Sequence, residues 1–186
     1  MRRIEVWMGT SNPHKYAEAR EVLEELGITL HRLEVERVEI QADDPEAIAE
    51  YSLRQLDVDH PVLVEDAGLY IERYHGFPGP YSSYALRTLG NRGILKLMEG
   101  EEDRRARYIS VVAYRDGETT KTFRGEVWGW ISHQERGSQG FGYDPIFIPR
   151  EGDGRTFAEM SPQEKARISH RARAFRAFGR WLAAQG

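Results

Sequence analysis

The sequence predicts an α/β protein built on a mixed β-sheet, and three observations carry the prediction. A short apolar segment at residues 4–8 runs through a small polar loop into helically spaced residues, the pattern of a parallel strand-helix unit. Residues 105–115 and 119–127 flank Asp116-Gly117, a strong hairpin signal, so the middle of the chain reads as antiparallel. The last segment opens on Ser161-Pro162-Gln163-Glu164, a capping box with proline at the first helical position.

Composition narrows the function classes. With 40% hydrophobic and 30% charged residues among 186, the chain is an ordinary globular protein of one domain, 1–186, with no linker or repeat. A net charge of −4 argues against broad electrostatic binding to nucleic acid. The absence of cysteine excludes disulfides, thiolate nucleophiles and cysteine-ligated zinc, and fits a cytoplasmic location. The stretch at residues 1–12 carries basic residues but an apolar run too short for a signal peptide. No segment approaches a membrane span, so a soluble protein without a membrane partner is expected. Asparagine occurs only as Asn12 and Asn91 while Arg and Glu are plentiful, a balance found in thermophilic proteins.

Taken in order, the first strand ends in Gly9-Thr10-Ser11-Asn12-Pro13-His14-Lys15. Tyr16, Ala19, Leu23 and Leu26 then mark a helix, and Gly27 stands where a C-cap belongs. A strand, a small polar loop and a helix N-terminus form a geometry that holds phosphate on backbone N–H groups. Lys15 sits in the first turn, where the helix dipole disfavours a cation and an anionic ligand would resolve the conflict. An ordinary N-capped helix is the competing reading. Residues 28–35 alternate as a half-exposed strand, and Asp44-Pro45 starts a helix running to about Leu56. Glu39 lies just outside that helix between two aliphatics.

Residues 61–64 read as a buried strand ending in two adjacent acids, Glu65 and Asp66, followed by Gly68 and a Gly-Phe-Pro-Gly-Pro turn. Ligands of open α/β sheets bind beyond the carboxyl ends of strands, and paired carboxylates there need a metal, a cation or a proton. Residues 81–89 and 93–99 read as short helices, the former with Ser82 and Ser83 near its start. A loop at 132–142 leads into Phe141-Gly142-Tyr143-Asp144-Pro145, where aromatics beside a glycine and an aspartate suit a platform for a base or an ordinary strand entrance. The final helix carries Ile168, Ala172, Phe175, Trp181 and Leu182 as one apolar stripe. Arg171 falls on that stripe beside His170, and a guanidinium there needs an anion or a π face.

Six motifs recur together and in this order in one family: Thr10-Ser11-Asn12-x-x-Lys15, Val64-Glu65-Asp66-Ala67-Gly68-Leu69, Gly76-x-Pro78-Gly79-Pro80-Tyr81-Ser82, Phe141-Gly142-Tyr143-Asp144-Pro145, Thr156-Phe157-Ala158-Glu159-Met160 and Glu164-Lys165-x-x-x-Ser169-His170-Arg171. Over nearly its whole length the chain resembles the inosine triphosphate pyrophosphatase family. The resemblance implies an elongated central mixed sheet with flanking helices forming two lobes around a cleft, and a homodimer. It implies Mg²⁺-dependent hydrolysis of non-standard purine nucleoside triphosphates (ITP, dITP, XTP) to the monophosphate and pyrophosphate. Thr10, Ser11, Asn12 and Lys15 would hold the triphosphate. Glu39 and Asp66 would ligate magnesium, with Asp66 also the proton acceptor. Phe141, Gly142, Tyr143, Asp144, Lys165, His170 and Arg171 would enclose base and sugar, with Ala67 lining the site. Ala67 replaces a serine common in relatives, Ala166 an asparagine, and Ser52 a lysine, with Arg54 nearby. A related pyrophosphatase with another base preference, as in the Maf proteins, and a nucleotide-binding regulator without catalysis are the alternatives.

Overall fold

The computed structural model describes residues 3–186; Met1 and Arg2, part of the stretch read above as too short for a leader, lie outside the described residues. The strands are β1 (Ile4–Gly9), β2 (Ile28–Leu33), β3 (Val62–Ile71), β4 (Phe77–Pro78), β5 (Arg105–Arg115), β6 (Thr120–Ile131) and β7 (Phe147–Pro149). The helices are α1 (Pro13–Glu25), α2 (Pro45–Arg54), α3 (Ser82–Thr88), α4 (Gly90–Leu97), α5 (Pro162–Ile168) and α6 (His170–Ala184). The strands form one sheet in the order β2-β1-β3-β5-β6-β7, with β4 beside β3. β1 pairs in parallel with β2 and β3, whereas β3 with β4 and β6 with β7 are antiparallel. The expected mixed sheet with flanking helices is what forms. No helix among the described residues is long and apolar enough to cross a membrane.

Local chemistry sets most element boundaries. Asn12 caps α1 and Asp44 caps α2, each followed by proline at the first helical position. Ala19, Val22 and Leu23 give α1 its buried stripe. Asp116 Oδ1 accepts from the backbone N–H of Glu118 at 2.8 Å and of Thr119 at 2.7 Å, an Asx turn that joins β5 to β6.

The chain divides into two compact units. The first comprises the chain up to Asp66 with Ser110–Gly125 and Arg171–Gly186; the second comprises Ala67–Ile109 and Glu126–His170. Every boundary falls inside a regular element: β3, β5, β6 or α6. In the first unit Tyr114 and Phe123 pack ring to ring on Phe178 and Trp181 of α6. The second unit has its own core, in which Leu69, Ile71, Ile94, Met98, Val127, Phe147 and Phe157 are buried together.

Two expectations are corrected here. β3 does not end at Glu65-Asp66: it runs on to Ile71, and Tyr70 and Ile71 pair with Pro78 and Phe77. Charges normally terminate a buried strand, but Glu65 is neutralised by partners distant in sequence. The C-terminal segment is not one helix either. Ser169 takes an extended conformation (φ −69°, ψ 153°) and separates α5 from α6. Ile168 and Phe175 stand seven residues apart, so the apolar stripe keeps its phase across the break and periodicity cannot register it.

Candidate active site

In the first unit the loop between β1 and α1 is tied internally. The Thr10 hydroxyl, on a buried residue, accepts from the backbone N–H of Asn12 at 3.0 Å. Asn12 Oδ1 accepts from the backbone N–H groups of His14 at 3.0 Å and Lys15 at 3.1 Å. Three of the N–H groups expected to cradle phosphate are therefore already engaged, and the Asn12 side chain is spent on capping. Ser11 is exposed, and its carbonyl and that of Thr10 accept from Arg32. Lys15 Nζ lies 3.1 Å from Glu65 Oε1, so a protein carboxylate meets the unusual first-turn cation.

Consecutive residues of a strand point to opposite faces, and the two acids of β3 have different surroundings. Glu65 is 1% exposed and is held by Lys15 from α1 and by the Arg171 guanidinium from α6. Arg171 NH1 also reaches Glu18 Oε1 at 2.7 Å. Burial alone would raise the Glu65 carboxyl, but the charges and hydrogen bonds of Arg171 and Lys15 hold it down at about 2. Asp66 is 9% exposed, and burial pushes it up to about 7, against the pull of Lys15 and Arg37 and with the push of Glu39 and Glu65. Glu39 sits in the irregular segment 34–44, its side chain 42% exposed, with Oε1 3.0 Å from Arg37 NH2. The Ser52 hydroxyl of α2 donates to the Val38 carbonyl at 2.5 Å and anchors that segment.

Asp66 and Glu39 make a donor set that fits magnesium. Both are carboxylates, they repel one another, and Asp66 is buried at the cost of keeping its proton up to near-neutral pH. Among the described residues no group of three or more His, Asp or Glu has metal-binding geometry, so water and phosphate oxygens would supply the remaining ligands.

In the second unit residues 141–144 form a turn clamped from several sides. Phe141 N–H donates to Asp144 Oδ2 at 3.0 Å, and Lys165 Nζ meets the same oxygen at 2.7 Å, with both of these charged side chains almost wholly buried. The Lys165 ammonium also lies 5.0 Å from the Phe141 ring centroid. Gly140 (φ +69°) passes so close that a Cβ would fall 2.1 Å from Asp144 Oδ2. Asn91 Nδ2 donates to the Gly142 carbonyl at 3.0 Å. Tyr143 is a core residue, 2% exposed, whose hydroxyl donates to the Ser82 carbonyl and is pushed up by burial. Of the two aromatics expected to stack on a base, Phe141 is the more exposed. His170 is buried and stacks on Tyr108, with ring centroids 3.8 Å apart and planes 9° from parallel. Ala67 is half-buried.

The Gly-Phe-Pro-Gly-Pro turn packs on β3 in this unit. A Cβ on Gly68 would fall 2.6 Å from the Gly79 carbonyl, and Ser82 Oγ donates to that carbonyl while accepting from Leu69 N–H. A separate cavity of about 370 Å³, lined by residues including Arg104, Trp130, Ser132, His133 and Arg136, shares no residue with either set.

Sequence reading missed Arg37, Glu18, Asn91 and Tyr108 as site neighbours, and named Ser52 only as a replacement, not as the anchor of the Val38 carbonyl. Glu18 was within reach, one helical turn after Lys15, and Asn91 stands out only by the scarcity of asparagine.

The Ham1 family model matches residues 6–181. The dITP/XTP pyrophosphatase of Methanopyrus kandleri is 49% identical over 96% of this chain and 96% of that protein. The dITP/XTP pyrophosphatase of Thermococcus kodakarensis is 53% identical over 93% and 94%. Among solved structures, the Staphylococcus aureus Ham1 protein superposes with a TM-score of 0.83 at 25% identity, covering 98% of this chain and all of that one. The nucleoside-triphosphatase / dITP/XTP pyrophosphatase of Mycobacterium abscessus gives 0.70 at 30% identity, over 98% of both chains.

Proposed function

The chain belongs to the Ham1 family, and on that premise we propose that it hydrolyses non-standard purine nucleoside triphosphates, ITP, dITP and XTP, to the nucleoside monophosphate and pyrophosphate. The observation that carries the mechanism is the contrast between neighbouring acids: Glu65 is buried and committed to ion pairs with Lys15 and Arg171, whereas Asp66 makes neither pair. Burial also raises Asp66 above the ordinary carboxylate range, so of the two acids Asp66 is the one suited to take the proton of the attacking water. The water oxygen bonds to the α-phosphorus, the bond from that phosphorus to the α–β bridging oxygen breaks, and pyrophosphate leaves with that oxygen.

Glu39 and Asp66 would hold Mg²⁺, which when bound supplies Lewis-acid neutralisation of phosphate charge. Lys15 has three ammonium donors, one directed at Glu65, and the others serve the leaving pyrophosphate. Glu65, pinned by Arg171, fixes the position of Lys15. Thr10 and Asn12 shape the loop that presents Ser11 and Lys15. Phe141 offers a stacking face for the base. In the second unit His170 and the N–H groups of Gly142 and Tyr143 are the candidate donors to a 6-oxo group, which adenine lacks; Arg171 is committed to Glu65 and Glu18. The working form is a cytoplasmic homodimer.

The test is a panel of ITP, dITP, XTP, GTP and ATP scored by pyrophosphate release with and without Mg²⁺. Turnover should require Mg²⁺, and kcat/KM for the first three should exceed that for GTP and ATP by at least about tenfold. Equal kcat/KM for ITP and GTP would refute the selectivity, and binding of ITP without turnover would mark a regulator.

A further inference from the structure

The charges of the first unit can be followed arm by arm. Lys15 is directed at Glu65, and Arg171 at Glu65 and Glu18. Arg32 lies 3.4 Å from the carbonyls of Thr10 and Ser11 through Nε and NH2, and 3.7 Å from Glu34. Arg37 is different. Its side chain is only 11% exposed, NH2 holds Glu39 Oε1 at 3.0 Å, and NH1 is buried with no hydrogen-bond partner among the described residues. A charged donor left buried without an acceptor is costly, and a guanidinium is built to offer two parallel N–H groups to one oxyanion.

We propose that Arg37 is a phosphate-binding residue of the site, a second cation beside Lys15 for the triphosphate. Two features support it. Arg37 and Glu39 flank Val38, whose carbonyl is fixed by the Ser52 hydroxyl, so the cation and the candidate metal carboxylate are presented from either side of one anchored residue. Arg37 also lies in the irregular segment 34–44, where no helix or strand ladder restrains it. NH1, the arm that Glu39 does not hold, is the one left for a phosphate oxygen. Ser52, whose hydroxyl is spent on the Val38 carbonyl, brings no charge to this neighbourhood, and Arg37 does. Arg54 of α2 is directed at Glu50, with 66% of its side chain exposed.

The assignment rests on the proposed triphosphate substrate, and two probes keep the ideas separable: steady-state hydrolysis of dITP, and calorimetric binding of inorganic tripolyphosphate with and without Mg²⁺. Arg37→Gln should raise KM for dITP about tenfold while kcat changes less than about threefold, the pattern of a lost ground-state contact. Tripolyphosphate affinity should fall about tenfold whether or not Mg²⁺ is present. Arg37→Lys should recover part of both losses, and Tm should stay within about 3 °C of wild type. Unchanged KM and tripolyphosphate affinity in Arg37→Gln would overturn the proposal. So would a loss confined to the Mg²⁺ arm, which would make Arg37 only a support for Glu39, or a matching fall in Tm in both variants. If wild type releases no pyrophosphate from dITP but still binds tripolyphosphate through Arg37, the substrate reading fails and the phosphate assignment stands.

Discussion

Glu65 and Asp66 share a peptide bond but carry opposite electrostatic loads, and each supports its own experiment. Asp66→Asn removes the proposed proton acceptor and one of two candidate metal carboxylates while keeping the shape. Its kcat should fall at least about 10²-fold, and near-normal turnover would end the assignment. Glu65 is a stability residue. Its folded pKa of about 2 lies below the ordinary 4.5, so its contribution is complete above pH 4.5 and is lost as pH falls toward 2. The shift is worth about 3 kcal/mol. Denaturant titrations of wild type should therefore lose about that much between pH 5 and pH 2 relative to Glu65→Gln. Parallel pH profiles for the two proteins would contradict the ion-pair account.

At the scale of elements, the caps were legible because their chemistry is local. Asn12, Asp44 and the Ser161-Glu164 box each bond within three residues, and sequence spacing encodes such bonds directly. Asn12→Ala should cost about 1 kcal/mol, or about 2–4 °C of Tm, and should raise KM for the triphosphate because Lys15 and Ser11 depend on that cap. A drop in Tm with KM unchanged would separate the cap from the site. The continuation of β3 was hidden for the converse reason: the guanidinium that makes Glu65 tolerable inside a strand lies 106 positions away. The break at Ser169 was hidden because the stripe stays in phase. Tyr143 read as a stacking face, since composition reports an aromatic ring but not which of two neighbouring rings is buried.

For the whole molecule, the fold class was readable, while the partnerships of the polar residues were not. Lys15 was expected to await a phosphate and is met by Glu65; Asp144 was expected near a sugar and holds Lys165. Arg37 follows no motif or periodicity, and only burial of one nitrogen sets it apart. The two contacts at Glu65 also bear on how quickly the chain reaches and leaves its native state. They close loops of 50 and 106 residues, and the neighbouring Arg171–Glu18 bond spans 153. Loops of that length close late, after local turns and helices have formed. Removing the carboxylate with Glu65→Gln should then accelerate unfolding at neutral pH and leave the refolding limb of the chevron nearly unmoved. A variant that instead refolded slowly would place this contact in the folding nucleus. On the expected outcome, one buried carboxylate acts as a late-closing latch that sets the lifetime of the native protein.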